Sequence, residues 1–170
     1  MITRALTEVF LRYLLGLIMV AYGLIKIFKI QFELPPSVYD LPLKELEGVT
    51  LTWAFLEFSS WFSIILGFLE FVPGVMLLFT RTKLIGAILL LPTLLAVVLI
   101  NNAYGFLLHM RIFSGCLLLI NITIICFSYK KLSHIIVKLF EHHPKRRIVE
   151  LMVNTFLVGV ITIVIIYFLK

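Results

Sequence analysis

Five long apolar stretches constrain this chain more than any other feature of its sequence. They lie at about residues 11–28, 53–79, 84–105, 107–128 and 148–169. A membrane-spanning helix needs roughly 20 mostly apolar residues, and each stretch is long enough. Only 14% of the residues are charged and the mean hydropathy is +1.12, whereas about a quarter of a soluble domain is charged. The sequence therefore predicts an all-α integral membrane protein with five transmembrane helices.

The distribution of basic residues predicts the orientation of these helices. Lysines and arginines concentrate at the N-terminal end, in the connector near residues 81–83 and in segment 129–147, whereas loop 29–52 is mainly acidic. Short basic loops stay in the cytoplasm, which predicts a cytoplasmic N-terminus and a C-terminus outside a bacterial cytoplasmic (inner) membrane. Anionic lipid headgroups account for the net charge of +6, so the bilayer is the expected partner and nucleic acid is not.

The chain divides into three parts on this reading. Residues 1–128 form a four-helix membrane bundle with an outer loop at 29–52. Residues 129–147 are basic, with apolar side chains at helical spacing, which is typical of an amphipathic helix at the membrane surface. An extension of the fourth helix into the headgroups is the alternative. Residues 148–170 contribute an added fifth transmembrane helix.

The sequence places one carboxylate, Glu70, inside an apolar helix. A charged group within the bilayer is costly unless it is paired, which makes Glu70 a candidate functional residue. Gly67 and Gly74 share its helix face, and the first helix carries a matching stripe at Gly16 and Gly23. Glycines at such spacing allow two helices to approach closely, and this packing would bring Arg12 toward Glu70.

Three roles are open for this predicted inner pair of Arg12 and Glu70. The first is an ion pair that fixes the register of two helices. The second is a proton-carrying or quinone-contacting carboxyl group, and the third is a contact with another subunit.

A second set of polar residues is expected near the outer surface, as a layer that holds an anionic head group or a quinone carbonyl. A solvated rim is the alternative, because long basic side chains at this depth reach water. The members of the layer are Lys26, Glu57, Asn101, Asn102, Tyr104, His109 and Arg111.

Motifs for catalysis and metal binding are missing from the sequence. The histidines fall at different depths, and Cys116 and Cys126 are ten residues apart on one helix, which does not suit a metal or redox pair. No phosphate loop or nucleophile motif occurs. The sequence predicts no catalytic residue, no metal and no cofactor, with quinone as the one alternative.

The pattern Arg12-x3-Gly16-x6-Gly23-x2-Lys26, followed by Gly67-x2-Glu70-x3-Gly74, resembles the first two helices of DoxX-like and DoxD-like membrane proteins. The stretch VLINNAYGFLLHMRIFSG is similar to the polar turn between their third and fourth helices. The resemblance covers roughly residues 10–128. It implies a four-helix core with Arg12, Lys26 and Glu70 as polar positions, and a link to quinone-dependent oxidoreductase assemblies.

Three functions follow as hypotheses. The first is a small, non-catalytic subunit or accessory protein of a larger inner-membrane complex, with other membrane subunits as partners. The second is a quinone-linked oxidoreductase component with a polar intramembrane site. The third is a membrane protein that handles a lipid or small solute.

Overall fold

The computed structural model describes residues 2–32, 34–140 and 147–168. Within these ranges the chain is helical, and its contacts divide it into two compact units, residues 1–128 and 129–170. The α-helices are α1 (Ile2–Ile27), α2 (Gly48–Phe58), α3 (Ser60–Leu78), α4 (Lys83–Ala103), α5 (Leu108–Phe127), α6 (Tyr129–Phe140) and α7 (Arg147–Phe168).

Four helices of the first unit are long and apolar enough to cross a membrane: α1, α3, α4 and α5. In α7 the apolar stretch found among the described residues, Leu151–Ile163, is shorter than a span. The prediction of an all-α membrane bundle is therefore confirmed for four helices.

The four spans form a closed ring in which α1 contacts α3, α3 contacts α4, α4 contacts α5 and α5 contacts α1. Sequential neighbours are antiparallel because the connections at residues 79–82 and 104–107 are short. Buried apolar side chains from all four helices fill the centre. They are Leu15, Met19, Leu77, Ala87, Leu90, Leu94, Leu117 and Ile124.

Glycines hold α1 and α3 at a short separation. A Cβ atom added to Gly23 would lie 2.7 Å from the carbonyl oxygen of Gly67, and one added to Gly16 would lie 3.0 Å from that of Gly74. These distances are too short for a side chain, so backbone packs against backbone at both levels. Gly16 opposite Gly74 and Gly23 opposite Gly67 also fix the antiparallel register of the two helices.

The predicted continuous helix 53–79 is wrong, because Ser59 interrupts it. Its backbone is extended, with φ −115° and ψ 99°, and it separates α2 from α3. The hydroxyl of Ser63 donates a 2.6 Å hydrogen bond to the carbonyl of Leu56 across the break. This bond satisfies one carbonyl that the end of α2 leaves without a helical donor. Apolar composition alone cannot reveal such a break, since both sides are equally apolar.

The C-terminus of α1 turns back toward the bundle through Lys29, whose φ is +59°. The amide of Ile30 donates to the carbonyl of Ile25, and that of Lys29 donates to that of Lys26. This is the Schellman arrangement, in which glycine usually takes the left-handed position. The turn buries Phe32 beside Trp53 of α2, with their rings 6.5 Å apart in an edge-to-face arrangement.

Residues 34–47 then cross the same end of the bundle. This end also carries the turn at residues 104–107 and is here called the loop end. Two short 3-10 helices, Pro36–Asp40 and Leu43–Glu45, lie in this segment. They are consistent with the three prolines of this segment, at residues 35, 36 and 42. The opposite end carries residues 79–82 and an ion pair between Glu8 of α1 and Lys83 of α4.

The second unit begins with α6 directly after Ser128, which ends α5. Ser128 alone separates α5 from α6 in the sequence. Residues 141–146 of the predicted basic segment lie outside the described residues.

Candidate functional site

A cavity of about 410 Å³ lies between the four spans, near the loop end. Its walls are mainly apolar and aromatic, with six polar or charged residues among them: Lys26, Gln31, Glu70, Asn101, His109 and Ser114. The size falls within the range of small-molecule sites, which are typically about 300–1,000 Å³. Close packing is the norm in protein interiors, so a cavity of this size with charged walls is a candidate site.

The charged wall is an ion pair between Lys26 of α1 and Glu70 of α3. Both residues are buried, with 7% and 2% of their surface exposed. Helical side chains tilt toward the N-terminus of their own helix. Because α1 and α3 are antiparallel, the tilt of Lys26 and that of Glu70 bring the two side chains toward each other. The pair therefore follows from the register that the glycines impose.

The predicted pair of Arg12 and Glu70 is wrong. Gly16 packs opposite Gly74, so Arg12 lies at the level of the C-terminus of α3, about 12 Å along the helix from Glu70. Its Nε donates to the carbonyl of Leu77 at 3.0 Å and its Nη2 donates to that of Leu78 at 3.1 Å. Arg12 thus satisfies carbonyls that the end of α3 leaves free, at the negative end of the helix dipole.

Three polar residues line the cavity from α4 and α5. The Nδ2 of Asn101 donates to the Oγ of Ser114 at 3.0 Å, and that hydroxyl donates to the carbonyl of Arg111. His109 lies one turn before Phe113 at the start of α5, and both line the cavity. These contacts fix the amide of Asn101 against α5, so it is a rigid part of the wall.

The predicted outer layer is only partly brought together. Lys26, Asn101 and His109 line the cavity, and they are joined there by Glu70, which the sequence had placed at a different depth. Glu57 instead holds the loop, because its Oε2 accepts hydrogen bonds from the amide of Leu34 at 3.1 Å and from the hydroxyl of Tyr39 at 2.7 Å.

The other members of that layer also point elsewhere. Asn102 is exposed and donates to the carbonyl of Val98 on its own helix. The Nε of Arg111 donates to the carbonyl of Phe106 at 2.6 Å and closes the turn before α5. Tyr104 is 45% exposed and ends α4. Asn102, Tyr104 and Arg111 are not among the residues that line the cavity.

Sequence reasoning missed Gln31 and Ser114. Gln31 falls in the loop after α1, and only the left-handed turn at Lys29 directs it back over the cavity. Ser114 was detectable in principle. An antiparallel hairpin folded at residues 104–107 brings positions near 101 and 114 to one level, and Asn101 was already a candidate.

Comparisons with known proteins show a distant similarity to an uncharacterized protein. The chain is similar to YwoB, an uncharacterized protein of Bacillus subtilis (strain 168), with 34% identity over 84 residues. The match covers 49% of this chain and 53% of YwoB, so the chain spans about half the length of that relative. No protein-family model matches the chain, and no solved structure matches it. The resemblance to DoxX-like proteins therefore stays a hypothesis.

The chemistry of the site follows from its charges and hydrogen bonds. Among the described residues, no group of three or more His, Cys, Asp or Glu side chains is placed to hold a metal ion. Glu70 Oε2 and Gln31 Oε1 belong to residues that line the cavity, but both atoms are fully buried and have no hydrogen-bond partner within the described part of the chain. A mainly apolar cavity with an ion pair of no net charge on its wall is suited to binding an amphipathic molecule.

Proposed function

We propose that this protein binds a small amphipathic molecule between the four spans of its bundle, in a bacterial cytoplasmic membrane. This is the lipid-handling or small-solute-handling hypothesis of the three drawn from the sequence. The observation that carries it is the 410 Å³ cavity with the Lys26–Glu70 pair on its wall. Enclosure by α1, α3, α4 and α5 gives the molecule an apolar environment, and the pair gives its polar end a fixed position.

The energetics of the ion pair support a role beyond stability. Burying two charges costs several kcal/mol per ion, and the pair's attraction does not always offset it. Glycine contacts already define the register of α1 against α3, so the bundle does not need the pair for that purpose. An intramembrane charge that faces a cavity instead of lipid is the usual mark of a binding or transport site.

Mass spectrometry of the protein purified in a mild detergent tests the proposal. The organic extract of the purified protein should contain a small molecule at near-stoichiometric amount. Val97→Trp places an indole in the cavity that Val97 lines, and should remove this molecule. Leu99→Trp is the matched control on the same helix, because Leu99 is 60% exposed, and should retain it.

Equal amounts in the wild type and in a folded Val97→Trp variant would refute binding in the cavity. Folding of both variants is checked by a monodisperse elution profile and an unchanged helical circular dichroism spectrum.

The proposed topology has α7 as a fifth span, with the N-terminus in the cytoplasm and the C-terminus outside. The basic residues of α6, including Lys130, Lys131 and Lys138, support a cytoplasmic position for that helix. Cysteines introduced at Val38 and Ser133, after Cys116 and Cys126 are replaced by serine, report the topology through an impermeant thiol reagent. Modification of both from the same side of the membrane would contradict it.

A second candidate function is that of an accessory subunit in a membrane complex. The observation in its favour is α7, where large apolar side chains are exposed, among them Leu151, Met152, Phe156 and Ile163. Lipid or another membrane helix would cover them. Purification at native expression level distinguishes lipid from a partner protein. A membrane complex predicts partner proteins in stoichiometric amount, whereas contact with lipid alone predicts none. The wild type and a Phe156→Ser variant would then differ in partner recovery.

A further inference from the structure

A second cavity, of about 470 Å³, lies at the loop end and shares no lining residue with the cavity between the spans. One of its walls comes from residues 38–46, and the other comes from α2 and the first turn of α3. We call it the loop-end groove. Nearly all of its lining side chains are apolar or aromatic, among them Leu41, Leu43, Leu51, Phe55, Phe58 and Trp61.

Contacts within the protein hold both walls of the loop-end groove in place. The hydroxyl of Tyr39 donates a 2.7 Å hydrogen bond to Glu57 Oε2, which ties the first wall to α2. The ring of Phe62 packs edge-to-face on those of Phe55 and Trp61, with centroids 6.1 Å and 6.0 Å apart. The groove is therefore formed before an occupant enters it, which lowers the entropic cost of binding.

The loop-end groove lies where the hydrocarbon core of a membrane meets the headgroups. The helix α3 has 19 residues and is therefore about 28 Å long, close to the roughly 30 Å of a hydrocarbon core. Trp61 stands in the first turn of α3 and is 67% exposed, and tryptophan is enriched at this depth in membrane proteins. The groove thus continues the lipid-facing surface of α3 at its loop end.

The first wall of the groove has a charged side and an apolar side. Asp40, Lys44 and Glu45 are exposed and lie outside the lining, whereas Leu41 and Leu43 belong to it. Water on the charged side and hydrocarbon on the apolar side satisfy both sets of side chains. This is the preference of an amphipathic segment that lies at a membrane surface.

The size of the loop-end groove distinguishes a lipid chain from a partner protein. A helix with its side chains is about 10–12 Å across, so a single turn of about 5.4 Å fills roughly 400–600 Å³. The groove has room for about one such turn. A stable protein interface buries about 800 Å² on each partner, which is far more than one turn provides. A hydrocarbon chain is narrow and flexible, and the membrane supplies it at this depth.

We propose that the loop-end groove binds one acyl chain of a phospholipid from the membrane leaflet at the loop end. The headgroup of this lipid lies beside the exposed charges of the first wall. Those charges have both signs, which favours a zwitterionic headgroup over an anionic one. The site is separate from the cavity between the spans and from the function proposed for that cavity. Residues 38–46 and α2 are then part of the membrane surface of the protein and not a loop in water.

Fluorescence quenching by a brominated phosphatidylcholine tests this site in the detergent-solubilised full chain. The chain has two tryptophans, so Trp53→Phe leaves Trp61, which lines the groove, as the reporter. The brominated lipid should quench Trp61 in a saturable way at a near-stoichiometric amount, and the unbrominated lipid should compete with it. Ala54→Phe in the same background fills the groove that Ala54 lines, and it should abolish the saturable part.

Two further variants in this background serve as a control and as a milder change. Ala21→Phe is the matched control, because Ala21 is exposed on α1 and lines neither cavity, and it should retain the saturable quenching. Leu43 is 70% exposed, so Leu43→Gln leaves the fold intact. It should weaken the saturable binding about tenfold, the effect of removing one leucine side chain from an apolar contact. The elution profile and the circular dichroism spectrum check the folding of each variant.

Three outcomes would overturn the proposal. Quenching that rises without saturation, or that is equal in a folded Ala54→Phe variant, would show only ordinary contact with bulk lipid. Stronger quenching of Trp53, measured in Trp61→Phe, than of Trp61 would place the lipid in the cavity between the spans, which Trp53 lines. Light scattering during size-exclusion chromatography gives the oligomeric state. A dimer that Ala54→Phe converts into a monomer would assign the groove to a second copy of the chain.

Discussion

Lys26 and Glu70 lie 44 residues apart in sequence and on different helices, yet their side chains meet at the wall of one cavity. The meeting depends on the antiparallel arrangement of α1 and α3, which tilts both side chains toward the same level. Neither partner reaches water in quantity, since 7% of Lys26 and 2% of Glu70 is exposed. Each charge therefore depends on the other for its compensation.

Loss of one partner of this pair should be more damaging than loss of both. Glu70→Gln leaves the Lys26 ammonium buried without its counter-charge and should lower the free energy of unfolding by about 3–5 kcal/mol. Lys26→Met combined with Glu70→Leu should recover most of that loss. Unfolding by SDS in mixed micelles, followed by circular dichroism, compares the two variants with the wild type. Equal loss in the single and double variants would mean that the charges do not compensate each other.

Arg12 should be energetically independent of Glu70. Arg12→Met removes two hydrogen bonds to the end of α3 and should cost about 1–3 kcal/mol, because the carbonyls of Leu77 and Leu78 lose charged donors. Its effect should add to that of Glu70→Gln within about 0.5 kcal/mol, since the two sites share no contact. A double-mutant cycle in the same unfolding assay measures the coupling. Strong coupling would instead support the ion pair between Arg12 and Glu70 that was expected from the sequence.

A methyl group at the close contact of α1 and α3 should destabilise the bundle. A Cβ at residue 23 would approach the Gly67 oxygen and the Phe71 amide to 2.7 Å, so Gly23→Ala should cost about 1–3 kcal/mol. Gly115→Ala in α5 is the matched control, because a Cβ there meets nothing within 4 Å. The control should be neutral or stabilising by up to about 1 kcal/mol. Similar effects at the two positions would exclude close packing at Gly23.

The contact between Tyr39 and Glu57 should respond to alkaline pH. The Glu57 carboxylate accepts the phenolic hydrogen bond and, with burial, raises the pKa of Tyr39 above its ordinary value of 10.0. The protonated phenol is thus favoured in the folded state. Its contribution is complete below the ordinary pKa and is lost as the pH rises through the raised pKa.

Ultraviolet titration of tyrosinate, as the difference between the wild type and Tyr39→Phe, measures this pKa. Glu57→Gln removes the carboxylate and should lower it toward 10.0. An identical titration of Tyr39 in Glu57→Gln would disprove the coupling.

Glycine at position 29 should stabilise the C-terminus of α1. Lys29 occupies the left-handed region with φ +59°, which costs a residue with a Cβ roughly 1–2 kcal/mol. Lys29→Gly removes that cost, although its more flexible unfolded chain offsets part of the gain. Lys29→Val should be clearly destabilising, because a β-branched residue is the least suited to this conformation. Equal thermal stability of the two variants would contradict the conformation described for this turn.

The sequence predicts the spans well because a membrane-spanning helix is apolar along most of its length. The lengths of α4 and α5 follow from hydrophobicity alone, whereas α1 begins at Ile2, well before the apolar stretch that starts near residue 11. Which side chains meet across the bundle depends on the register of the helices. That register was read incorrectly from the spacing of Arg12 and Gly16. The direction of the side chains, which favours Lys26 over Arg12, was the missing consideration. Gln31 and the break at Ser59 depend on single backbone conformations, which hydrophobic patterns do not encode.

The turn at Lys29 links the aqueous surface to the centre of the bundle. Its backbone amide is bonded to the carbonyl of Lys26, and Gln31 follows it by two residues. A rearrangement of this turn would displace the basic partner of the ion pair and the amide above the cavity together. Lys29 itself is exposed. A contact with this lysine from outside would therefore act on the wall of the cavity through the backbone of the turn.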